Sequence, residues 1–333
     1  MKYNNGEEYN GYWNNDKKEG EGEYIYNNGN KYKGNWKNDI KEGYGILNTT
    51  EEIYEGEFKN DLKNGKGKIT YESKDIFDGY FKDGKKEGKA TIFFNNNEKV
   101  IINYKDDKIQ GEGIYYYNNG DIFMGIFDDN FIAKKGKMKY KNGDEYEGDF
   151  DDNRLRKGEG IMKYNNKKIY FGKWNNNMKN GFGILCSNEN DLEKIRIYFK
   201  RFNLETINEL FYLNIFDSIF IGNFIDDKKN GNGVFYIKDY NNILLPKNII
   251  YTGNFYDDHQ FEKGRIYFNN ISYFEAFWLD NYSIDEQKGG YFYLKNTFEF
   301  TKSNFNIKQW IDFIKNKLYG SNKLTNSNKS KTR

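Results

Sequence analysis

One spacing constrains this chain more than any other feature. An aromatic residue, one intervening residue and a glycine return every 22 to 24 residues. The aromatic slot falls at Tyr9, Tyr32, Tyr54, Phe77, Val100, Phe123, Tyr146 and Tyr170, then after an interruption at Phe220, Tyr251 and Tyr273. The segment Met1–Gly11 returns nearly residue for residue as Met138–Gly148. A fixed period of this length marks a repeat array, in which each unit buries its apolar face only against its neighbours.

Each unit has two arms. The first runs Tyr9-x-Gly11-x-Trp13, Tyr32-x-Gly34-x-Trp36, Tyr54-x-Gly56-x-Phe58, Phe77-x-Gly79-x-Phe81, Tyr146-x-Gly148-x-Phe150 and Tyr170-x-Gly172-x-Trp174. Seven residues after the Trp or Phe comes a Gly-x-Gly-x-apolar arm, as in Gly20-x-Gly22-x-Tyr24, Gly43-x-Gly45-x-Leu47 and Gly181-x-Gly183-x-Leu185. A period of 2 within each arm predicts a strand, because alternate side chains share a face. Turn formers such as Asn14-Asn15-Asp16 and Lys59-Asn60-Asp61 separate the arms, and Asn28-Gly29 or Asn119-Gly120 joins one unit to the next. The unit is therefore a β-hairpin. Both glycines of the second arm are expected to leave holes on the ring-bearing face, over which neighbouring rings lie in a continuous row. No unit is stable alone. Ordering about 23 residues costs roughly 1–2 kcal/mol each, more than its few rings return at about 25 cal/mol per Å².

These arms resemble the MORN repeat, whose pattern is Tyr-x-Gly-x-Trp/Phe, a polar turn, then Gly-x-Gly-x-Tyr/Leu. The resemblance covers roughly residues 1–185 and 218–280. It implies an all-β fold, an elongated curved ribbon of tandem antiparallel hairpins. It also implies roles as a cytoskeletal or membrane-associated scaffold, or as an assembly module attached to an enzyme, and anionic phospholipid as a ligand. The array departs from the pattern at several places. Val100 and Ile102 fill the aromatic and glycine slots of the fifth unit, Lys134 and Glu262 replace the first glycine of a second arm, and Glu275 replaces the first-arm glycine near the end. Local irregularity or bending is expected at those units.

The organisation that follows is repeats 1–8 over residues 1–185, an insertion over 186–217, degenerate repeats 9–11 over 218–300, and a C-terminal helix and basic tail over 301–333. The insertion carries Ile195, Ile197, Tyr198, Phe199, Leu204 and Leu210, too apolar for a solvated loop, and an elaborated hairpin or short helix is expected there. Residues 306–319 read as an amphipathic helix. Asn306 caps it, Ile307, Trp310, Ile311, Ile314 and Leu318 form one stripe, and Gly320 ends it. The helix can cap the ribbon's open edge or second face. Alternatively, with Lys308, Lys315, Lys317 and Lys323, it can lie on anionic lipid.

The second face changes along the chain. Early positions such as Asn10, Lys33, Glu55, Lys66 and Lys68 are polar, whereas Phe171, Phe182, Ile184, Ile221 and Val234 are apolar. A one-sided antiparallel sheet should alternate throughout, so something covers that later face: the chain itself, a partner protein or a second copy.

Composition narrows the function. The 333 residues are 37% hydrophobic and 31% charged, which leans towards disorder, but 30 Tyr and 28 Phe supply an aromatic core instead. A net charge of +2, from 52 basic and 50 acidic residues, provides no field for nucleic acid. A single cysteine, Cys186, forms no internal disulfide and suits a reducing compartment. The polar Met1–Asn10 stretch lacks the apolar core of a secretory leader, and no apolar run nears the ~18 residues of a membrane span. Cys186 and His259 are too few for a Cys/His zinc site and read as a buried thiol and a turn residue. The Gly-x-Gly pairs recur in unit after unit and no phosphate-loop motif accompanies them. The acidic doublets Asp128-Asp129, Asp151-Asp152, Asp226-Asp227 and Asp257-Asp258 lack calcium-loop spacing and share one turn slot. The expectation is a cytoplasmic, non-enzymatic scaffold, cytoskeletal or peripheral to a membrane, with protein partners or self-association and no catalytic residue, metal, cofactor or small-molecule substrate.

Overall fold

A computed structural model of the chain describes residues 1–191, 193, 218–238, 248–267, 273–280, 283–284 and 290–293. The C-terminal helix and its Ile307, Lys308, Trp310, Ile311, Ile314, Lys315, Lys317 and Lys323 lie outside the described residues, as does most of the 186–217 insertion, whose first residues Glu189–Asp191 are helical. Two compact units divide the chain, Met1–Arg156 and the part from Lys157 onward.

The first unit is a meander of β1 (Glu8–Asn14), β2 (Lys17–Ile25), β3 (Lys31–Lys37), β4 (Ile40–Asn48), β5 (Glu52–Lys59), β6 (Leu62–Tyr71) and β7 (Ile76–Lys82). It continues through β8 (Lys85–Phe93), β9 (Lys99–Lys105), β10 (Lys108–Tyr116), β11 (Ile122–Ile126), β12 (Lys135–Lys139) and β13 (Glu145–Phe150). The second holds β14 (Arg156–Lys163), β15 (Ile169–Asn175), β16 (Met178–Cys186), β17 (Ser218–Ile225), β18 (Lys228–Lys238), β19 (Asn248–Tyr256), β20 (His259–Tyr267) and β21 (Tyr273–Asp280). Two short strands, β22 (Ser283–Ile284) and β23 (Gly290–Tyr293), both pair with β21. From β1 to β13 and from β14 to β21 consecutive strands pair antiparallel, so the predicted hairpin repeat is the observed one.

Register puts the glycines in a column. Gly11 faces Gly22, Gly22 faces Gly34, and the line continues through Gly45, Gly56, Gly67 and Gly79. Ala90 and Ile102 face one another next, and the column resumes at Gly113, Gly125, Gly136 and Gly148. Within-unit hairpins close on two consecutive left-handed residues, Asn15 (φ 47°) with Asp16 (φ 59°) and Asn38 (φ 50°) with Asp39 (φ 71°). That is the twist-compatible turn of a two-residue hairpin, and Asn and Asp tolerate it well.

The two glycines of the second arm have different jobs, which corrects the expectation that both open the ring face. The second, such as Gly22, lies beneath a ring. The first, Gly20, sits at φ +66° where the register of β1 with β2 shifts between Gly11 and Trp13, and a Cβ built there meets Tyr12 on the opposite side. A bulge in this conformation favours glycine because an L side chain crowds its own backbone. Glu262 occupies the same slot at φ 56°. Glu262→Gly is therefore expected to stabilise the second unit by about 1 kcal/mol, read as a rise in its urea midpoint; an unchanged or lowered midpoint removes this account of the slot.

The fifth unit keeps an uninterrupted β9 with Val100 and Ile102 buried together, and its irregularity is a register shift against β10 between Gln110 and Ile114 that leaves Ile102 out of that ladder; a Cβ on Gly113 would meet Ile102 Cγ2 at 2.5 Å. The smaller Val100 and the larger Ile102 exchange volume between the aromatic and glycine slots. In the last unit the slots are displaced by one residue: Ile266 faces Phe274, Gly264 faces Ala276 and Glu262 faces Trp278. The repeat there is Phe274-x-Ala276-x-Trp278, not Tyr273-x-Glu275. Since a one-residue slip reverses every side chain, Glu275 falls on the second face, paired with Arg265 at 2.6 Å. The sixth unit, with Lys134, does have shortened strands, β11 and β12 being five residues each.

Candidate interaction face

The ring face is built by a zigzag of edge-to-face contacts. Trp13 meets Tyr9 at 5.0 Å, Tyr9 meets Trp36 at 5.6 Å, and the line runs on through Tyr32, Phe58, Tyr54, Phe81 and Phe77 to Tyr104. Trp13, Trp36, Phe58 and Phe81 thus form the single row expected. Past Val100 it restarts at Phe127, Phe123, Phe150 and Tyr146. In the second unit it runs Trp174, Tyr170, Phe224, Phe220, Phe255 and Tyr251. Edge-to-face geometry sets the positive ring edge against the negative face, and such pairs are worth about 0.5–1.5 kcal/mol beyond burial.

Each tyrosine lies across two glycines and ties its hydroxyl down. Tyr9 O–H donates to the Tyr12 carbonyl at 3.1 Å, Tyr32 to Asn35 at 3.0 Å, Tyr54 to Glu57 at 2.8 Å and Tyr170 to Lys173 at 3.0 Å. Burial raises the hydroxyl pKa of Tyr9, Tyr32 and Tyr54.

A row of cations lies over the rings, and it was not picked out in the sequence. Lys18 faces Trp13 across β1 and β2, Lys41 faces Trp36, Lys63 faces Phe58 and Lys86 faces Phe81. Lys18 Nζ stands 4.4 Å from the Tyr24 and Trp36 ring centres and 5.8 Å from Tyr9. Lys41 lies over Tyr26, Tyr32 and Phe58, and Lys86 over Tyr71, Phe77 and Tyr104. Lys179 and Lys229 repeat the arrangement in the second unit. Such contacts contribute about 0.5–2 kcal/mol each. Desolvation among the rings pulls the pKa of Lys18, Lys41, Lys86 and Lys229 below the usual lysine value. Half-buried tyrosines border the row towards the joining turns, and burial pushes Tyr26 and Tyr71 up to about 12. The only sequence signal was the lysine five residues after each early Trp or Phe, hidden among 52 basic residues.

The acidic turn slot clamps one hairpin to the next. Lys18 N–H donates to Asp39 Oδ1 at 2.8 Å while Asp39 N–H donates to the Lys18 carbonyl at 3.1 Å, and Asn38 N–H reaches Glu19 Oε2 at 3.0 Å. Lys41 with Asp61, Lys86 with Asp107, Lys179 with Asp227 and Lys229 with Asp258 repeat the exchange. These acids are engaged by backbone amides, and no group of three or more His, Cys, Asp or Glu among the described residues is placed to hold a metal.

The second face differs between units. Asn10, Lys33, Glu55, Lys66 and Lys68 are exposed in the first. In the second, Ile169, Ile184, Cys186, Ile219, Ile221, Tyr236 and Ile250 form a buried cluster with Phe171 and Val234 against it, all within one chain. Phe182 stands apart, 46% exposed. The thiol of Cys186 is pushed up to about 12 by burial, which leaves it protonated and unreactive. No helix among the described residues is long and apolar enough to cross a membrane.

A meander whose successive hairpins offer the same side chains at one pitch is a repeat-type interaction module. The sequence model of the MORN repeat matches residues 9–31, 32–47, 54–76, 77–99, 103–122, 170–191 and 220–241. The chain carries seven MORN repeats between residues 9 and 241. No curated protein sequence matches it. Among solved structures it is similar to the TCP domain of SAS-4 (dCPAP) from Drosophila melanogaster in complex with a proline-rich motif of Ana2 (dSTIL). That likeness has 17% identity and a TM-score of 0.31, over 46% of this chain and 83% of the other. The TCP10 domain of Danio rerio CPAP in complex with a peptide of STIL is similar at 10% identity and a TM-score of 0.27, over 56% of this chain and 81% of that one.

Proposed function

We propose that the chain is a non-enzymatic scaffold that holds protein partners along the ring-and-cation face of its repeats, at a cytoskeletal or membrane-associated structure. The observation that carries this reading is the same cation placed over the same ring row in consecutive hairpins, at Lys18, Lys41, Lys63 and Lys86. A small-molecule site concentrates a few convergent groups in one cavity. A face that repeats at fixed pitch instead suits an extended macromolecular partner. Tagged in its own cell and cross-linked, the full chain is expected to concentrate on one structure and to be recovered with stoichiometric protein partners. A diffuse distribution with no cross-linked partner overturns the proposal.

A further inference from the structure

The cations over the ring row differ in how they are neutralised. Lys63 pairs with Glu52, and Lys179 pairs with Asp227 at 3.5 Å. Lys18, Lys41 and Lys86 form no ion pair among the described residues. Acids do influence them from further off: Asp39, Asp61 and Glu7 act on Lys18, Asp61 on Lys41, and Asp107 and Glu52 on Lys86. The Asp39, Asp61 and Asp107 carboxylates already accept hydrogen bonds from the backbone amides of Lys18, Lys41 and Lys86. The ring faces satisfy each ammonium in part, and each of these lysines keeps a solvent-facing side.

The pitch of the row is set by the sheet. Equivalent lysines stand two strands apart, about 9.6 Å at the usual strand spacing. One turn of a polyproline-II chain, three residues, advances about 9.3 Å and brings the next side chain back to the same face. We propose that the ring face of β2 to β8 binds an acidic segment of a partner protein that crosses the strands in the polyproline-II conformation and carries, on its three-residue repeat, carboxylates opposite Lys18, Lys41 and Lys86. At the Lys63 step the partner needs no acid, because Glu52 already holds that ammonium. Proline at the intervening positions, which favours that conformation, fits against the half-buried edges of Tyr26 and Tyr71. This deepens the scaffold reading and rests on it.

The test is fluorescence anisotropy with the full chain and a labelled peptide of four Glu-Pro-Pro triplets, against the same residues with the glutamates contiguous. The triplet peptide is expected to bind more tightly, and its affinity to fall as salt rises. Lys41→Met with Lys86→Met keeps apolar packing over the rings and is expected to weaken binding by about tenfold or more, since a charge-assisted contact is lost at each site. Lys41→Arg with Lys86→Arg is expected to retain it. Lys66→Met with Lys68→Met, on the other face, is expected to leave it unchanged. Equal affinity for the two peptides, full binding by the methionine pair, or loss with the arginine pair each overturns the inference. So does binding to phosphatidylserine vesicles that needs Lys41 and Lys86 while the peptide does not bind. If cellular partners remain on the methionine pair, the acidic segment is wrong and the scaffold stands. If the unaltered chain recovers none, both fall.

Discussion

Tyr54→Ala is expected to destabilise the Met1–Arg156 unit by about 4 kcal/mol, the range seen when a fully buried ring is removed. Tyr54 is wholly buried, meets Phe58 at 5.0 Å and Phe81 at 5.2 Å, and donates its hydroxyl to the Glu57 carbonyl at 2.8 Å. Beneath it lie Gly56 and Gly67, which have no side chain to close the gap. Removal therefore leaves a cavity and breaks the zigzag between two hairpins. Tyr54→Phe keeps the ring and loses one hydrogen bond, and should cost only about 1 kcal/mol. Urea denaturation distinguishes the two, and hydrogen exchange should show protection lost first in β4 to β7, because each hairpin is held by its neighbours. Equal stability of the two variants would mean the ring row is not what holds the unit together.

The second large effect comes from filling the same gap. In Gly56→Ala the new Cβ would stand 2.5 Å from Gly67 Cα, 2.6 Å from the Tyr54 hydroxyl and 2.7 Å from the Lys66 carbonyl oxygen. Two of those atoms belong to the facing backbone and cannot rotate away. The strands must separate or the ring must leave, at an expected cost of about 3 kcal/mol. Gly88→Ala is the contrast. Nothing lies within 4 Å of its added Cβ, and only its φ of +74° opposes the change, for about 1 kcal/mol. Denaturation midpoints that rank these two variants the other way would sink the distinction between a glycine that makes room and one that makes a bend.

Much of the architecture was legible because it is local. The Tyr9-x-Gly11-x-Trp13 alternation predicts a strand without reference to any other residue, and Asn15-Asp16 predicts a turn. The displaced last unit was legible too, since Phe274-x-Ala276-x-Trp278 obeys the pattern with alanine in the glycine slot, but the eye follows glycine. The lysines of the ring face were not legible in this way. Lys18 is one basic residue among many until β1 and β3 bring Tyr9 and Trp36 around it, beside Tyr24 of its own strand.

The amino-acid sequence by itself determined the hairpin unit, its repetition and the aromatic core, since periodicity and turn chemistry act within a few residues of each other. Only the tertiary structure decided which glycine lies under a ring and which bends the chain, how Val100 and Ile102 trade volume, and which lysines stand unpaired over the row. Each of those depends on the register between strands of different arms, where a shift of a single residue sends a side chain to the opposite face.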